Sequence, residues 1–360
     1  MPNSPTLIFT GGHHTSALAV AITLQRQGWH IIWFGHRYSM WGDTSDSGEY
    51  REVMAAKIKF VDLKAGKFHR TTNLRQLILI PVGFIQAFII LRQLKFRLKS
   101  DLKGIVSFGG YLAVPVVITG WLLGIPVITH EQTVTAGYAN RVIALFAKKI
   151  ALSWPTSLAL YPKTKSFLTG LPLRPEILRI KSSTHNPRAD LKTILVIGGK
   201  QGAHTLNQVV FTSLPQLITK YRIVHQTGSS SVHADYQQAL SLQSPNYTPY
   251  DYLFPKEFAA ALAQADVVVS RSGAHSVYEY GFLGKRCVLV PIPRSSHQEQ
   301  MKNAQILVNH GLAILVPQDT LSPRSLLTAI HQAEKLTSAP LSIPADGQEK
   351  LIQLIIQTFS

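Results

Sequence analysis

The segment TLIFTGGHHTSALAVAITLQRQG, residues 6–28, runs from an apolar stretch through two glycines and two histidines into a helix-like stretch. A second segment, ILVIGGKQGA at residues 194–203, repeats the order of apolar stretch, glycine pair and helix start. A strand that passes through glycines into a helix is typical of α/β domains with a parallel sheet. The two segments therefore predict two such domains. The role of the first turn stays open: it can contact a phosphate, bind a metal, supply a catalytic base or simply be a tight turn.

Length and composition agree with two globular domains. The chain has 360 residues, with 46% hydrophobic and 15% charged residues, which excludes wholesale disorder. We predict an N-terminal domain over residues 1–168 and a second over 169–345, with an amphipathic helix at 346–360 that packs back on the first. A single cysteine, Cys287, excludes a disulfide framework and a cysteine-based zinc site. The N-terminus lacks the features of a signal peptide, so we expect the protein to stay inside the cell.

Several apolar runs are continuous rather than alternating, which indicates buried parallel strands. They lie at residues 6–9, 30–34, 104–108, 126–130 and 150–153, and again at 193–197, 222–226, 267–270 and 288–291. Helix-like stretches at 17–27 and 112–123 each end at a glycine. The segments 169–177 and 181–190 read as a hinge region with a loop between the two domains.

The net charge of +17 calls for an anionic partner. Between Lys57 and Lys103 the basic residues greatly outnumber the two acids, and they surround the apolar run LILIPVGFIQAFIIL at 77–91. That run is shorter than the roughly 20 residues of a membrane span, and Pro81, Gly83 and Gln86 interrupt it. The pattern favours contact with an anionic membrane surface, and a buried core helix with a basic flank is the alternative. Sparse aromatic residues argue against nucleic acid as a partner.

Three segments of the second half carry groups suited to a sugar nucleotide. The loop GGKQGA at 198–203 offers free N–H groups to a diphosphate, and Lys200 adds a cation. In SRSGAHSVYE at 270–279, the carboxylate of Glu279 can accept hydroxyl hydrogen bonds from a ribose, or it can simply stabilise the helix start. In HQEQMKNAQ at 297–305, Glu299, Gln300 and Asn303 can bind sugar hydroxyls, or can form an ordinary polar helix face.

Taken together and in this order, the motifs resemble those of the MurG-type N-acetylglucosaminyltransferases of glycosyltransferase family 28. The resemblance rests on LTGLPLRPEI, LVIGGKQGAHTLNQ, HQTG, ADVVVSRSGAHSVYE and PRSSHQEQMKNAQ, and on TGGH, VSFGGYLAVP and LGIPVITHEQTVTAGYANR in the first half. It implies a GT-B fold, in which two Rossmann-like, doubly wound parallel-sheet domains face each other across a cleft. It also implies transfer of GlcNAc from UDP-GlcNAc to the C4 hydroxyl of MurNAc in undecaprenyl-linked lipid I, which gives lipid II for peptidoglycan.

The resemblance also assigns residues. His13 is the expected catalytic base, since an imidazole titrates near working pH, whereas His14 matches no family role. On the donor side the resemblance implies Arg174, Gly199, Lys200, Gly202, Phe254, Phe258, Ser272, Gly273, Ala274, Glu279, Glu299 and Gln300. On the acceptor side it implies Thr10, Gly11, Gly12, Gly109, Gly110, Tyr111, His130, Glu131, Gln132 and Thr133.

The chain departs from the family pattern at its short TGGH loop, at Lys200, at Thr133 and at Ala113-Val114. Most of these positions lie on the acceptor side, so three functions stay open. They are the lipid I transferase, a related enzyme that adds GlcNAc to another polyprenyl-diphosphate sugar, and a non-catalytic UDP-sugar-binding homologue. No Asp-x-Asp pair is present, and we expect no bound metal or cofactor, because UDP-GlcNAc is a substrate. The expected location is the cytoplasmic face of the cell membrane, as a peripheral protein on its anionic surface.

Overall fold

The computed structural model describes residues 4–38, 46–66, 74–180, 191–199, 201–228, 230, 232–293 and 298–360, with no side-chain description at 74–77. The predicted loop at 181–190 and Lys200 lie outside the described residues. The chain forms two compact units, which we call unit 1 (Met1–Leu173 with Pro344–Ser360) and unit 2 (Arg174–Ile343). The boundary between them thus falls a few residues after the position expected from the sequence.

Unit 1 is an α/β unit with one parallel sheet. Its strands pair in the order β3-β2-β1-β4-β5-β6-β7, and each neighbouring pair is parallel. The strands are β1 (Thr6–Thr10), β2 (His30–Gly35), β3 (Lys59–Asp62), β4 (Leu102–Ser107), β5 (Val127–Glu131), β6 (Lys149–Leu152) and β7 (Ser166–Leu168). The helices are α1 (His14–Arg26), α2 (Gly48–Ala55), α3 (Leu74–Leu98), α4 (Ala113–Leu122), α5 (Tyr138–Phe146) and, at the C-terminus, α13 (Gly347–Phe359).

Helices cover both faces of this sheet, which explains the continuous apolar strands. Alternate strand residues such as Ile8 and Ile105 belong to a core with α3, α4 and α5, while Phe9 and Val106 belong to a second core with α1 and α13. Because successive strand side chains point to opposite faces, a sheet buried on both sides needs apolar residues at every position. All five residues of β1 are buried.

The C-terminal helix α13 completes the second of these cores. Leu351, Ile355 and Phe359 are buried in it, and Gln348 Nε2 donates a hydrogen bond to Thr23 Oγ1 in α1 at 2.7 Å. Gly104 in β4 makes room for Phe359, because a Cβ at Gly104 would lie 2.2 Å from the phenylalanine ring. Unit 1 is therefore closed by a segment that is more than 170 residues away along the chain.

Helix α3 differs from the sequence interpretation of its apolar run. Pro81, Gly83 and Gln86 were expected to interrupt the run, but the structure places all three inside one helix of 25 residues. Gln86 is used by the fold, since its Nε2 donates to the carbonyl of Asp62 and its Oε1 accepts from the N–H of Lys64, each at 2.9 Å. A polar residue within an apolar helix thus anchors that helix to the end of β3.

Unit 2 repeats the parallel architecture in the order β10-β9-β8-β11-β12-β13. Its strands are β8 (Lys192–Ile197), β9 (Tyr221–Gln226), β10 (Tyr247–Tyr250), β11 (Val267–Ser270), β12 (Cys287–Leu289) and β13 (Ala313–Leu315). Its helices are α6 (Pro175–Leu178), α7 (His204–Leu217), α8 (Asp235–Ser241), α9 (Pro255–Gln264), α10 (Ala274–Leu283), α11 (Glu299–Asn309) and α12 (Pro323–Ala333).

The prediction of two parallel-sheet α/β domains is confirmed, and the nine predicted strands are all present within one or two residues. The four strands that the sequence interpretation missed are β3, β7, β10 and β13. These are the two edge strands of each sheet. Edge strands are short and bury fewer side chains, so they lack the continuous apolar run that marks a central strand.

Candidate functional site

The candidate site of unit 1 lies where its strand order reverses, between β1 and β4. In open α/β sheets, ligands bind beyond the carboxyl ends of the strands at this point. The TGG loop follows Thr10 at the end of β1, and the FGGY loop follows Ser107 at the end of β4. The two loops are joined directly, since the N–H of Phe108 donates to the carbonyl of Thr10 at 2.7 Å and the N–H of Gly12 donates to the carbonyl of Gly109 at 3.0 Å.

Glycine is required in both loops. Gly11 has φ 137°, and a Cβ there would lie 2.6 Å from the backbone carbon of Phe108. Gly110 has φ 81° and faces Gly12. A side chain at Gly11 would clash with the backbone of Phe108, so the two loops could not pack this closely together. The glycines therefore hold the two turns against each other at the predicted acceptor side.

His13 sits at the start of α1, directly after this turn. It is the N-cap residue of the helix and is half-buried. His14 points elsewhere, since its Nε2 lies 3.3 Å from Glu52 Oε2 on α2. The hydroxyl of Thr10 is fully buried and its Oγ1 has no hydrogen-bond partner in the part of the chain that the structure describes. A buried hydroxyl without a partner, three residues before His13 in the chain, is a group that a ligand or a water can satisfy.

Glu131, at the end of β5, is the centre of a buried hydrogen-bond network. Its Oε1 accepts from the N–H and hydroxyl of Thr133, at 3.0 and 2.8 Å. Its Oε2 accepts from Asn140 Nδ2 at 2.6 Å and from the Tyr161 hydroxyl at 2.8 Å. Burial raises the pKa of Glu131, although these hydrogen bonds act in the opposite direction. Asn140 Oδ1 also accepts from the N–H of Gly110 at 2.9 Å, so the network holds the FGGY loop in place.

The remaining acceptor-side residues make contacts within unit 1. Gln132 is buried, and its Oε1 accepts from the hydroxyl of Ser16 on α1 at 3.0 Å. His130 is buried, with its Nε2 3.2 Å from the carbonyl of Gly170. Tyr111 is half-buried, its ring centre is 5.8 Å from that of His36, and burial raises the pKa of its hydroxyl. Unit 1 thus brings every predicted acceptor-side residue to the carboxyl ends of its strands.

The candidate site of unit 2 also lies at a reversal of strand order, between β8 and β11. Gly199 has φ 91° and its carbonyl accepts from Gln226 Nε2 at 2.9 Å. Gly202 has φ 90°, and a Cβ there would lie 2.1 Å from the carbonyl oxygen of Thr227. The turn that leads into α7 therefore depends on glycine for its shape. Lys200, its predicted cation, lies outside the described residues.

Arg174 and Glu279, both predicted to contact the nucleotide, contact each other. Arg174 Nε donates to Glu279 Oε1 at 2.8 Å and its Nη2 donates to Oε2 at 2.5 Å. His275 Nδ1 lies 3.2 Å from Oε1 of the same carboxylate, which is only 1% exposed. Burial alone would raise the pKa of Glu279, but the charges of Arg174 and His275 outweigh it and lower this pKa to about 2. The Arg174 guanidinium also lies over the Phe258 ring at 4.1 Å.

The other donor-side residues lie at the starts of α9, α10 and α11. Ser272 is buried, and its hydroxyl donates to the carbonyl of Gln300 at 2.8 Å. Gly273 is the N-cap of α10, and Ala274 begins that helix. Glu299 begins α11 and is half-buried. Phe254 is largely exposed, whereas Phe258 is buried beneath Arg174, so the two phenylalanines expected on the donor side have different environments.

Sequence interpretation missed four residues that the structure places in these networks. Asn140 and Tyr161 bind Glu131, and only the fold brings them there. Arg271 donates to the carbonyl of Val290 and to Gln318 Oε1 at 2.9 and 2.6 Å, and burial lowers its pKa. The contact of His275 could have been found from the sequence, because residues four apart share one face of a helix and Glu279 is four residues further on.

Within the described ranges, no group of three or more histidine, cysteine, aspartate or glutamate side chains is placed to hold a metal ion. The polar groups gathered in the two units are hydrogen-bond donors, hydrogen-bond acceptors and imidazoles. These groups suit the binding and deprotonation of hydroxyl groups and the binding of anions.

Comparison with known proteins places this geometry in a family. Residues 8–152 match the model of the glycosyltransferase family 28 N-terminal domain, and residues 193–354 match that of the C-terminal domain. The chain is also similar to a solved structure of MurG from Acinetobacter baumannii. The TM-score is 0.70 at 25% identity, over 98% of this chain and 99% of that one. The predicted GT-B class of the two parallel-sheet units is thereby confirmed.

Curated relatives match over nearly the whole chain. A protein of Bacillus cereus (strain ATCC 10987) is 30% identical over 98% of this chain and 99% of its own length. It is named UDP-N-acetylglucosamine--N-acetylmuramyl-(pentapeptide) pyrophosphoryl-undecaprenol N-acetylglucosamine transferase 2. A protein of Shewanella frigidimarina, named for the same transfer, is 33% identical over 96% of this chain and 88% of its own length.

Proposed function

The chain belongs to glycosyltransferase family 28, and we propose that it transfers N-acetylglucosamine from UDP-N-acetylglucosamine to undecaprenyl-linked lipid I. The acceptor is the C4 hydroxyl of the N-acetylmuramyl sugar, and the product is lipid II for peptidoglycan. The observation that carries this proposal is the near-full-length similarity to relatives named for the same transfer. The loops at the reversal of strand order in each unit supply the chemical groups that the transfer requires.

Unit 2 is the proposed donor unit. A carboxylate offers about four lone-pair positions. Arg174 and His275 occupy three of those of Glu279. One position on Oε2 is left, so we assign Glu279 a single hydrogen bond from a ribose hydroxyl rather than two. The glycine turn at Gly199–Gly202 and the start of α10 bind the diphosphate through their N–H groups.

Unit 1 is the proposed acceptor unit, and His13 is its base. As the C4 oxygen of the acceptor attacks the anomeric carbon of GlcNAc, its proton passes to the imidazole of His13. The bond from that carbon to the β-phosphate oxygen breaks, and UDP leaves with the electron pair. A single displacement of this kind inverts the anomeric centre. The buried Thr10 hydroxyl and the FGGY loop bind the acceptor beside His13.

We further propose that the α3 face of unit 1 rests on the cytoplasmic surface of the membrane. Among the described residues, one helix (Ile78–Asp101) is long and apolar enough to cross a membrane by length and composition alone. It buries Leu91 on its inner side yet exposes Ile85 and Phe96, the latter by 81%. A helix with one side in the protein core fits contact with a surface better than a span. Lys95, Arg97 and Lys99 add the charge that an anionic leaflet attracts.

A transfer assay tests the proposed activity. Radiolabelled UDP-GlcNAc is incubated with the full chain and lipid I, and labelled lipid II is the expected product, with His13→Ala as the inactive control. Label on a different polyprenyl-diphosphate sugar, with none on lipid I, would show that the acceptor is misassigned. UDP-GlcNAc binding without transfer to any acceptor would identify a non-catalytic homologue.

Membrane contact is tested separately by sedimentation with lipid vesicles. We expect the chain to sediment with vesicles rich in anionic lipid and to remain in solution with neutral ones. Phe96→Asp should weaken this association without changing the melting temperature, because the side chain is exposed. Equal binding of both vesicle types would contradict the role of the basic residues.

A further inference from the structure

The acceptor-side loop HEQT, residues 130–133, is held by a neighbouring segment of unit 1, residues 153–161. We call these the HEQT loop and the support segment. Strand β5 pairs in parallel with β6, with Glu131 opposite Leu152, so the loop and the segment leave the sheet next to each other. The support segment continues as a short 3₁₀ helix, Pro155–Leu160, which begins with a proline whose fixed φ suits a helix start.

Each of the four loop residues has a contact with the support segment. The contacts are Ser153 Oγ with His130 Nε2 at 3.2 Å, Trp154 Nε1 with the carbonyl of Gln132 at 3.1 Å, Ser157 Oγ with the carbonyl of Thr133 at 3.1 Å, and the Tyr161 hydroxyl with Glu131 Oε2 at 2.8 Å. The four side chains that the segment contributes are all buried. Tyr161 also belongs to the core that contains α3, α4 and α5, so the segment is anchored in the body of unit 1.

Thr133 uses its polar groups inside this arrangement. Its N–H donates to Glu131 Oε1 at 3.0 Å, its hydroxyl donates to the same oxygen at 2.8 Å, and its carbonyl accepts from the Ser157 hydroxyl. The residue is only 4% exposed. A buried hydroxyl that donates within the protein stabilises one conformation of a loop. The departure from the family pattern at Thr133 therefore concerns how the loop is held.

We propose that Thr133, Trp154 and Ser157 are positioning residues for the acceptor, and that Thr133 does not contact the acceptor itself. Their hydrogen bonds fix the backbone of the HEQT loop before the acceptor binds. A loop without this support has to be ordered by the acceptor, and that ordering reduces the free energy of binding. Loss of the support should therefore raise the KM for the lipid acceptor and leave nucleotide binding unchanged. This inference rests on the proposed function only in taking unit 1 as the acceptor unit.

Single substitutions remove the support one hydrogen bond at a time. Trp154→Phe keeps an aromatic ring but lacks the N–H that donates to Gln132, and Ser157→Ala lacks the hydroxyl that donates to Thr133. Thr133→Val removes the hydroxyl at similar volume, whereas Thr133→Ser keeps it. The matched control is Thr119→Val, which removes a buried hydroxyl of the same unit that bonds to carbonyls within its own helix, α4.

The measurements are the KM for the lipid acceptor, the UDP affinity and the hydrogen exchange of residues 130–133, all in the full chain. We expect Trp154→Phe, Ser157→Ala and Thr133→Val each to raise this KM by about fivefold or more, because each leaves a buried group without its partner. Exchange in the HEQT loop should accelerate in the same variants, while UDP affinity stays within about twofold. Thr133→Ser and Thr119→Val should change neither the KM nor the exchange of the loop by more than about twofold.

A double variant separates positioning from direct contact. Ser157→Ala and Thr133→Val weaken the same support, so their combined effect on the acceptor KM should be smaller than the product of the two single effects. A raised KM in Thr133→Val without faster exchange of the loop would show direct contact and overturn the proposal. An equal rise in Thr119→Val and Ser157→Ala would also overturn it, since general stability would then explain both. If the unchanged chain transfers to no acceptor, the proposed function fails, and the exchange of the HEQT loop alone then decides this inference.

Discussion

Among the residues that the structure describes, each unit has one buried glutamate, Glu131 or Glu279, and the two differ in their partners. Glu131 in unit 1 is 2% exposed and Glu279 in unit 2 is 1% exposed. Glu131 is surrounded by neutral donors from Thr133, Asn140 and Tyr161. Glu279 is surrounded by Arg174 and His275. Burial raises the pKa of the first, whereas the charged partners of the second overcome burial and bring its pKa to about 2.

At Glu131 the hydrogen bonds from neutral donors oppose the effect of burial on the pKa without overcoming it, whereas at Glu279 the neighbouring positive charge does overcome it. Glu131 is therefore best understood as the hub that ties the acceptor-side loops together. Glu279 is a buried negative charge that orients the side chains of Arg174 and His275 in the donor unit. Substitutions in unit 1 should accordingly change turnover and acceptor binding, and substitutions around Glu279 should change nucleotide binding.

The largest expected effect is on turnover, from His13→Ala in unit 1. Loss of a general base lowers kcat by about 10²- to 10⁴-fold. UDP affinity should stay unchanged, because the proposed nucleotide contacts are all in unit 2. Steady-state kinetics and calorimetry on the same preparation measure both quantities, and an unchanged kcat would exclude His13 as the base.

The next effect is on the stability of unit 2, from Arg174→Met. This change leaves the ionised Glu279 buried with His275 as its remaining partner, and breaking a buried ion pair costs about 3–5 kcal/mol. Hydrogen exchange of the α10 amides should accelerate accordingly. The matched control is Arg174→Met combined with Glu279→Leu, which should recover much of the loss because no buried charge is left. If the double variant is no more stable than the single one, Glu279 does not depend on Arg174.

Acid should weaken unit 2 through Glu279. A carboxyl whose folded-state pKa is lowered from 4.5 to about 2 adds stability above pH 4.5, and that stability is lost as the pH falls toward 2. The shift corresponds to about 3 kcal/mol. Glu279→Gln should therefore lose less stability than the unchanged chain between pH 5 and pH 3, as measured by urea unfolding. An equal loss of unfolding free energy between pH 5 and pH 3 in the two proteins would contradict the lowered pKa of Glu279.

Glu131 should show the opposite dependence. Its folded-state pKa lies above the usual value, so its contribution to stability is present at acid pH and declines as the pH rises through that raised pKa. The stability advantage of the unchanged chain over Glu131→Gln should therefore shrink toward neutral pH. An advantage that grows with pH would show that Glu131 is held ionised.

The smallest of these effects concerns Asn140, the link between Glu131 and the FGGY loop. Asn140→Ala leaves the N–H of Gly110 without a partner and removes one of the two hydrogen bonds to Oε2 of Glu131, at a cost of about 1–3 kcal/mol. The KM for the lipid acceptor should rise while UDP affinity stays the same. Asn140→Asp keeps the size but places a second carboxylate against Glu131, so it should be worse than Ala. If Asn140→Asp has a lower KM for the lipid acceptor than Asn140→Ala, Asn140 does not link Glu131 to the FGGY loop in the way described.

Sequence patterns predicted the central architecture because its signals are local. Continuous apolar runs mark the inner strands, and the glycines at 11–12 and 198–199 mark the turns where the strand order reverses. Edge strands such as β3 and β13 lack that signal. Pro81 was misread because its effect depends on the partners of α3, and the Gln86 contacts that support the helix come from β3 and the residues after it.

The candidate site was predicted as a set of residues, but not as a set of contacts. Arg174 and Glu279 were both assigned to the nucleotide, yet they are 105 positions apart and only the fold shows that they pair. Glu131 was assigned to the acceptor side, while its partners Asn140 and Tyr161 could not be read from spacing. The contact between His275 and Glu279 was also missed, although the two residues are four positions apart in one helix and that spacing could have indicated it.

The comparison of the two glutamates is tested most directly by measuring the UDP affinity of Glu279→Gln and Glu131→Gln side by side in the full chain. The first substitution removes the charge that orients Arg174 and His275, and the second alters a hydrogen-bond hub in the other unit. We predict that Glu279→Gln weakens UDP binding by about tenfold or more and that Glu131→Gln leaves it within about twofold. Equal losses in the two variants, or unchanged affinity in Glu279→Gln, would contradict the assignment of nucleotide binding to unit 2.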